Sequence, residues 1–205
     1  MELAVSTDML VAGTHFFVDA DPRKLGHKAL AVNLSDLAAM GATPRWALLA
    51  ISLPKVDAAW LRTFSRGFLA LAREHAVDLV GGDTTRGPLN LCVTIMGEVP
   101  RGKALRRDGA RASDDVWVSG VLGDAALAVA HRVGRVKLGR SELAHCTRAL
   151  DLPRPRLALG VALRSLAHAA LDISDGLAAD LGHICERSRL GADLWIEALP
   201  RSAVG

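Results

Sequence analysis

Residues 21–53 read DPRKLGHKALAVNLSDLAAMGATPRWALLAISL, and this stretch decides the class of fold. Asp21 and Pro22 open a helix: the carboxylate can accept from the first free amides, and proline fills a position whose N–H has no partner. Leu25, Ala29, Val32, Leu37 and Met40 recur at helical spacing, and Gly41 suits the C-terminal cap. From Trp46 the chain is almost continuously apolar until Pro54 closes the run, the pattern of a buried strand. A helix followed at once by such a strand predicts a fold that mixes the two.

The pattern continues outward in both directions. Leu3–Thr7 reads as a strand. Asp57 caps a second helix through about His75, with Trp60, Leu61, Phe64, Phe68, Leu69 and Leu71 apolar, and Trp60 is expected on its buried face. A strand at Val77–Val80, a glycine-rich turn at Gly81–Gly87 and a strand at Asn90–Val99 follow. Pro100, Gly102 and a basic patch (Arg101, Lys103, Arg106, Arg107, Arg111) read as a linker. Beyond it come a strand at Val116–Ser119 and two or three helices over Asp124–His168, broken near Gly134–Gly139 and at Pro153 and Pro155. A strand at Ala170–Ile173, a helix at Asp175–Arg187 and the start of a strand at Leu194–Ile196 complete the reading. The expectation is α/β or α+β in two lobes, residues 1–103 and 104–205.

Composition narrows the class of partner. The chain has 205 residues, half of them hydrophobic, enough for a sizeable core. No apolar run reaches the roughly 18 residues of a membrane span, and the N-terminus has no secretory pattern. Cys92, Cys146 and Cys185 lie far apart without metal-site spacing, which fits a reducing cytoplasm. A net charge of +3 is weak evidence for an anionic partner. Nucleic acid is disfavoured, because the aromatic content is 4% and there is no tyrosine to stack on bases.

The aspartates carry the chemistry. Asp8 ends the first strand, Asp83 follows Gly81-Gly82, and Asp172 and Asp175 flank a strand-to-helix junction. Asp36 sits in an otherwise apolar helix, where a carboxylate is costly unless it is paired or binds a metal. Taken singly, each has an ordinary role: Asp175 as a helix cap, Asp8 and Asp83 in turns, Asp36 on an exposed helix face. Together they are a set of hard oxygen donors suited to Mg²⁺ and phosphate. Gly81-Gly82-Asp83-Thr84-Thr85-Arg86-Gly87 can aim backbone N–H groups at phosphate, although a GxxxxGK[ST] loop is absent from the chain.

Four strings extend this reading. Residues 6–16 (STDMLVAGTHF), 28–42 (KALAVNLSDLAAMGA), 81–87 (GGDTTRG) and 172–177 (DISDGL) resemble, in the same order, the signatures of the thiamine-monophosphate kinase family. The resemblance covers about residues 3–200. It implies the two-lobed fold of the aminoimidazole-ribotide synthetase-like superfamily, an N-terminal lobe that pairs in a homodimer, and ATP with several Mg²⁺ ions between lobes. It implies metal binding by Ser6, Thr7, Asp8, Asp36, Asp83, Asp172 and Asp175. ATP contacts fall to Gly82, Asp83, Arg107 and Ser174, and a thiamine-phosphate contact to His15, which also reads as a turn histidine beside Phe16. The implied reaction is in-line transfer of the γ-phosphoryl group of ATP onto thiamine phosphate, with no protein nucleophile.

The family's GDDAA-like segment and its later SGGEDYEL-like segment have no counterpart here, so the chain is expected to be truncated at both ends. Two other readings stand beside the kinase. One is a non-catalytic member that binds Mg-ATP or dimerises. The other is a different enzyme of the superfamily, such as selenophosphate synthetase or aminoimidazole-ribotide synthetase, which the STDMLVAGTHF and GGDTTRG strings disfavour.

Overall fold

The computed structural model describes residues 1–204. The first half is a four-stranded sheet with two helices on one face. In chain order the elements are β1 (Glu2–Val11), α1 (Pro22–Ala39), β2 (Thr43–Leu53), α2 (Ala58–Glu74), β3 (Asp78–Arg86) and β4 (Asn90–Val99). The strand order is β1-β4-β2-β3, with β4 antiparallel to both neighbours and β2 parallel to β3.

Both helix starts form as their sequences dictate. The Asp21 carboxylate accepts from Lys24 N–H at 2.9 Å, with Pro22 at the first helical position. The Asp57 carboxylate accepts from the amides of Ala59 and Trp60, both at 3.0 Å. Leu30, Leu34 and Leu37 of α1 are fully buried against Leu91, Val93 and Ile95 of β4 and Ala47 of β2. α2 packs on α1 through glycines: a Cβ on Gly26 would lie 2.1 Å from the Phe64 carbonyl oxygen, and one on Gly67 1.8 Å from that of Arg23.

Phe64 and Phe68 are buried between the helices. Trp60, expected on the same buried face, is only partly covered and stacks on Phe64 at a centroid distance of 5.2 Å. It sits in the first turn of α2. Trp60→Ala is therefore expected to cost roughly 1–2 kcal/mol, below the ~3–5 kcal/mol of a fully buried aromatic. A chemical-denaturation midpoint measures this, and a loss at the upper figure would contradict the partial burial.

The second half contains α3 (Asp124–Arg132), α4 (Arg140–Asp151), α5 (Leu157–Leu163) and α6 (Leu177–Ser188), then a 3-10 turn at Ile196–Ala198. α5 lies against α1 closely enough that a Cβ on Gly160 would sit 2.0 Å from the Ala38 carbonyl oxygen. Arg164 Nε donates to the Gly41 carbonyl at 2.5 Å, Lys24 pairs with Asp151 at 3.1 Å, and Leu105 N–H donates to the Met40 carbonyl. α1 is thus covered by the sheet on one side and by α2 and α5 elsewhere, which is why apolar residues surround it on nearly every side.

Several local expectations are corrected. The glycine-rich stretch read as a turn is the second half of β3: Gly82 pairs with Leu49 and Asp83 with Ala50. Gly82, at φ +153°, is required by packing, since a Cβ there would lie 1.8 Å from the Leu49 carbonyl oxygen. Val116–Ser119, Ala170–Ile173 and Leu194–Ile196 do not form strands. A strand exists only as one side of a hydrogen-bonded ladder. After Val99 the described residues hold a single bridge, Leu122 with Arg201. α6 begins at Leu177 instead of Asp175, because Gly176, at φ +123°, is outside helical geometry.

Candidate functional site

Strand β1 alternates between the two faces of the sheet. Ser6 and Asp8 point to the helix side, between buried Ala4 and Leu10, whereas Thr7 and Met9 are exposed on the other side. On the helix side, α1 presents Asn33 and Asp36, three residues apart and therefore on one face. Ser6 Oγ donates to Asp36 Oδ2 at 2.5 Å, and Asn33 Oδ1 accepts from Asp8 N–H at 3.2 Å. Asn33 is fully buried and also donates to the Ala29 carbonyl. It locks α1 to β1 beside Asp8. The sequence reading did not single it out, although an asparagine inside an apolar helix was the available signal.

Asp172 approaches this pair from the second half of the chain. Burial is the first cause that raises the Asp8 carboxyl above its usual range, Asp172 is the second, and His15 opposes them. Asp36 is pushed up to about 6, first by burial and then by Asp172 and Asp8, while the hydrogen bond from Ser6 and the charge of Arg107 pull it down. Asp8, Asp36 and Asp172 are therefore within mutual electrostatic reach, with Arg107 opposed to them. Two half-buried carboxylates whose charge is disfavoured, with a third acting on both, offer hard oxygen donors of the kind that suit a hard cation.

The remaining expected residues are spread more widely. Thr7 faces the opposite side of the sheet and shares a hydrogen bond with Thr94 at 2.9 Å. Asp83 is exposed on the edge strand β3. Its row across the sheet is Met9, Cys92, Ala50 and Asp83, the face that Thr7 also shares. Three strand spacings separate Asp83 from β1, about 14 Å. One protomer does not bring Asp83 to Asp8. Among the described residues no three His, Cys, Asp or Glu side chains are close enough together to hold a metal.

His15 lies in the turn after β1, where its Nδ1 accepts from Val11 N–H at 3.0 Å and its carbonyl accepts from Lys28 Nζ at 3.3 Å. Ser174 and Asp175 are exposed on the loop before α6. Asp175 makes no capping bond to that helix. The loop amides of Ser174, Asp175 and Gly176 all donate to Asp180 Oδ2, at 2.9, 3.1 and 3.1 Å. Asp180 is buried and was missed in the sequence. Its signal was the position four residues after Gly176, on the first turn of the helix, facing back toward the loop. Arg107 is exposed beside Arg106, which pairs with Asp108 at 2.8 and 2.6 Å and holds that carboxyl down at about 2.

Comparison with known proteins follows the same line. The sequence model of the family described as AIR synthase related protein, N-terminal domain, matches residues 1–99. The thiamine-monophosphate kinase of Salmonella typhimurium is 50% identical over 201 residues, 98% of this chain and 62% of that enzyme. The crystal structure of thiamine monophosphate kinase from Aquifex aeolicus superposes with a TM-score of 0.91 at 33% identity, over 98% of this chain and 69% of that one. A further solved structure, described as AaThiL complexed with AMPPCP and TMP, has a TM-score of 0.92 at 31% identity, over 98% of this chain and 65% of that one. The chain spans about 62% of the length of the curated relatives it matches.

Proposed function

The chain belongs to the thiamine-monophosphate kinase family, and from that premise we propose that it carries the Mg-ATP site of an enzyme that converts thiamine phosphate to thiamine diphosphate. The observation that carries the proposal is the electrostatic coupling of Asp8 and Asp36 to each other and to Asp172, with the charge of Arg107 opposing it at Asp36. These groups come from β1, α1, the segment before α6 and the region after β4, so only a folded chain assembles them. The reaction joins two anionic phosphates, so its barrier is dominated by charge and positioning. Asp8, Asp36 and Asp172 are the residues that would hold Mg²⁺, which would supply the charge neutralisation. Arg107 and Ser174 are placed to orient ATP, and His15 to meet thiamine phosphate. No side chain is needed as a nucleophile. The domain boundary near residue 103 and a cytoplasmic location belong to the same proposal. The three free cysteines and the lack of any described helix long and apolar enough to cross a membrane are in keeping with that location.

The working unit in this reading is a homodimer. β1 and β3 are the two unpaired edges of the sheet, and its helix-free face exposes Leu3, Val5 and Met9. Thr7 and Asp83 share that face at opposite edges. A two-fold copy that lays its β3 along β1 would carry its own Asp83 to the edge that bears Thr7 and Asp8. The row position of Asp83 favours this arrangement over a site closed within one protomer.

Thiamine diphosphate formation from ATP, Mg²⁺ and thiamine phosphate tests both parts. Product above a protein-free control is expected, with loss in Asp8→Asn and in Asp83→Asn. Mixing the two inactive variants is expected to restore product, since one site of each mixed dimer keeps both aspartates. Inactivity of the mixture would place Asp83 in its own protomer's site. No product from the folded parent chain would favour a non-catalytic Mg-ATP-binding or dimerising member.

A further inference from the structure

Helix α6 holds the two halves of the proposed nucleotide site at its two ends. At the N-terminal end one oxygen of buried Asp180 accepts from three consecutive amides, those of Ser174, Asp175 and Gly176. At the other end Ser188 Oγ donates to the Arg107 carbonyl at 2.9 Å and accepts from Ala110 N–H at 3.2 Å. Between them, Ala170 N–H donates to the Arg106 carbonyl at 3.1 Å, which joins the segments that lead into Arg107 and Asp172. Eight residues of helix separate Asp180 from Ser188, about 12 Å of rigid rise.

We propose that α6 is a brace for the nucleotide site, with Asp180 and Ser188 as positioning residues that fix the 172–176 loop and Arg107 relative to each other. Neither touches ligand in this arrangement. Asp180 consumes the amides that would otherwise leave the loop mobile, so the Asp172 and Asp175 carboxylates stay in place when a cation binds. Loop φ values support the need for an external clamp. Gly176, at φ +123°, meets nothing within 4 Å of a built Cβ, so packing alone does not hold the turn. A buried carboxylate shared by three amides is costly to lose, because each donor then lies without its partner. Ser188 plays the corresponding part for the backbone that carries Arg107, whose charge reaches Asp36 across the site. The purpose assigned to the brace rests on the nucleotide-site reading above.

The experiment uses the 205-residue chain itself. Amide hydrogen exchange and equilibrium Mg-ATP binding are measured on the parent, Asp180→Ala, Asp180→Asn and Ser188→Ala, with helix content by circular dichroism as the folding control. Asp180→Ala is expected to lose protection at the amides of residues 174–176 and to need about 10–100-fold more Mg²⁺ for half-maximal ATP binding, the usual cost of removing an outer support of a metal site. Asp180→Asn, which keeps one acceptor oxygen, is expected to fall between parent and alanine variant in both readouts and covers the case of an alanine variant that does not fold. Ser188→Ala is expected to expose the Ala110 amide and weaken ATP binding without moving the Mg²⁺ midpoint. Lost protection with unchanged binding, or unchanged protection at 174–176, would overturn the brace alone. A folded parent chain that binds no Mg-ATP would overturn the nucleotide site and the purpose of the brace with it.

Discussion

Gly67→Val is expected to destabilise the chain by about 3 kcal/mol or more, a fall in Tm of roughly 6–12 °C for a domain of this size. The reason is the α1–α2 crossing. The position a Cβ would take on Gly67 is 1.8 Å from the Arg23 carbonyl oxygen and 2.7 Å from its carbonyl carbon. Both obstacles are backbone in the first turn of α1, so no side-chain rotation relieves the clash. The helices must separate, which opens the layer that buries Phe64 and Phe68. Gly182→Ala in α6 is the matched control. A Cβ there meets nothing within 4 Å, so the change is expected to stabilise by about 0.5–1 kcal/mol through helix propensity. Thermal unfolding of both variants measures the difference, and a Gly67→Val chain as stable as its parent would show that the two helices do not cross here.

Asp36→Asn is expected to separate stability from function. The folded Asp36 carboxyl ionises at about 6, above its ordinary 3.8, because burial and the neighbouring Asp172 and Asp8 disfavour its charge. A raised folded value means that the folded state holds the proton more tightly than the unfolded chain. The contribution is complete below pH ~4 and is lost as pH rises through about 6. Above that range the ionised side chain is a net cost which asparagine removes, while its amide oxygen can still accept from Ser6. The side chain is only about half buried, so screening leaves ~1 kcal/mol of the ~3 kcal/mol that an unscreened shift of this size implies. A rise in Tm of about 2–4 °C at pH 7.5, absent at pH 4, is expected without Mg²⁺. At the same time Mg²⁺-dependent ATP binding is expected to disappear, because a required donor charge is gone. A lower Tm at pH 7.5 would contradict the electrostatic cost, and retained Mg²⁺ dependence would remove Asp36 from the site.

That opposition between stability and ligand binding explains why Asp36 was conspicuous in the sequence. Asp36 broke the apolar pattern of the helix around it, a local signal that needs no knowledge of the fold. The capping aspartates Asp21 and Asp57 were equally readable, since each acts on amides two or three residues away. Asp180 was less visible. Its partners are four to six residues earlier, in a loop without helical or strand periodicity, and only the geometry around Gly176 turns the side chain toward them. Asn33 needed β1, twenty-five residues away, before its role at Asp8 existed.

The strand at Gly81–Arg86 was hidden for a related reason. Two glycines signal a turn when read alone, yet here they lie within an edge strand, and at Gly82 a Cβ would meet the Leu49 carbonyl oxygen of β2. The segments at Val116–Ser119 and Ala170–Ile173 had strand-like composition, but a ladder also needs a partner.

The sequence by itself determined the helices α1 and α2, their N-terminal caps and the apolar strands that bury them, and it singled out the carboxylates proposed for the site. These follow from periodicity and from bonds within a few residues. Only the tertiary structure decided which carboxylates meet. It placed Asp8, Asp36 and Asp172 within one another's field, set Thr7 and Asp83 on the other face of the sheet, and put Asp180 beneath the loop. The physical reason is that face, edge and register belong to pairings between distant segments, and those pairings are made only when the chain has folded.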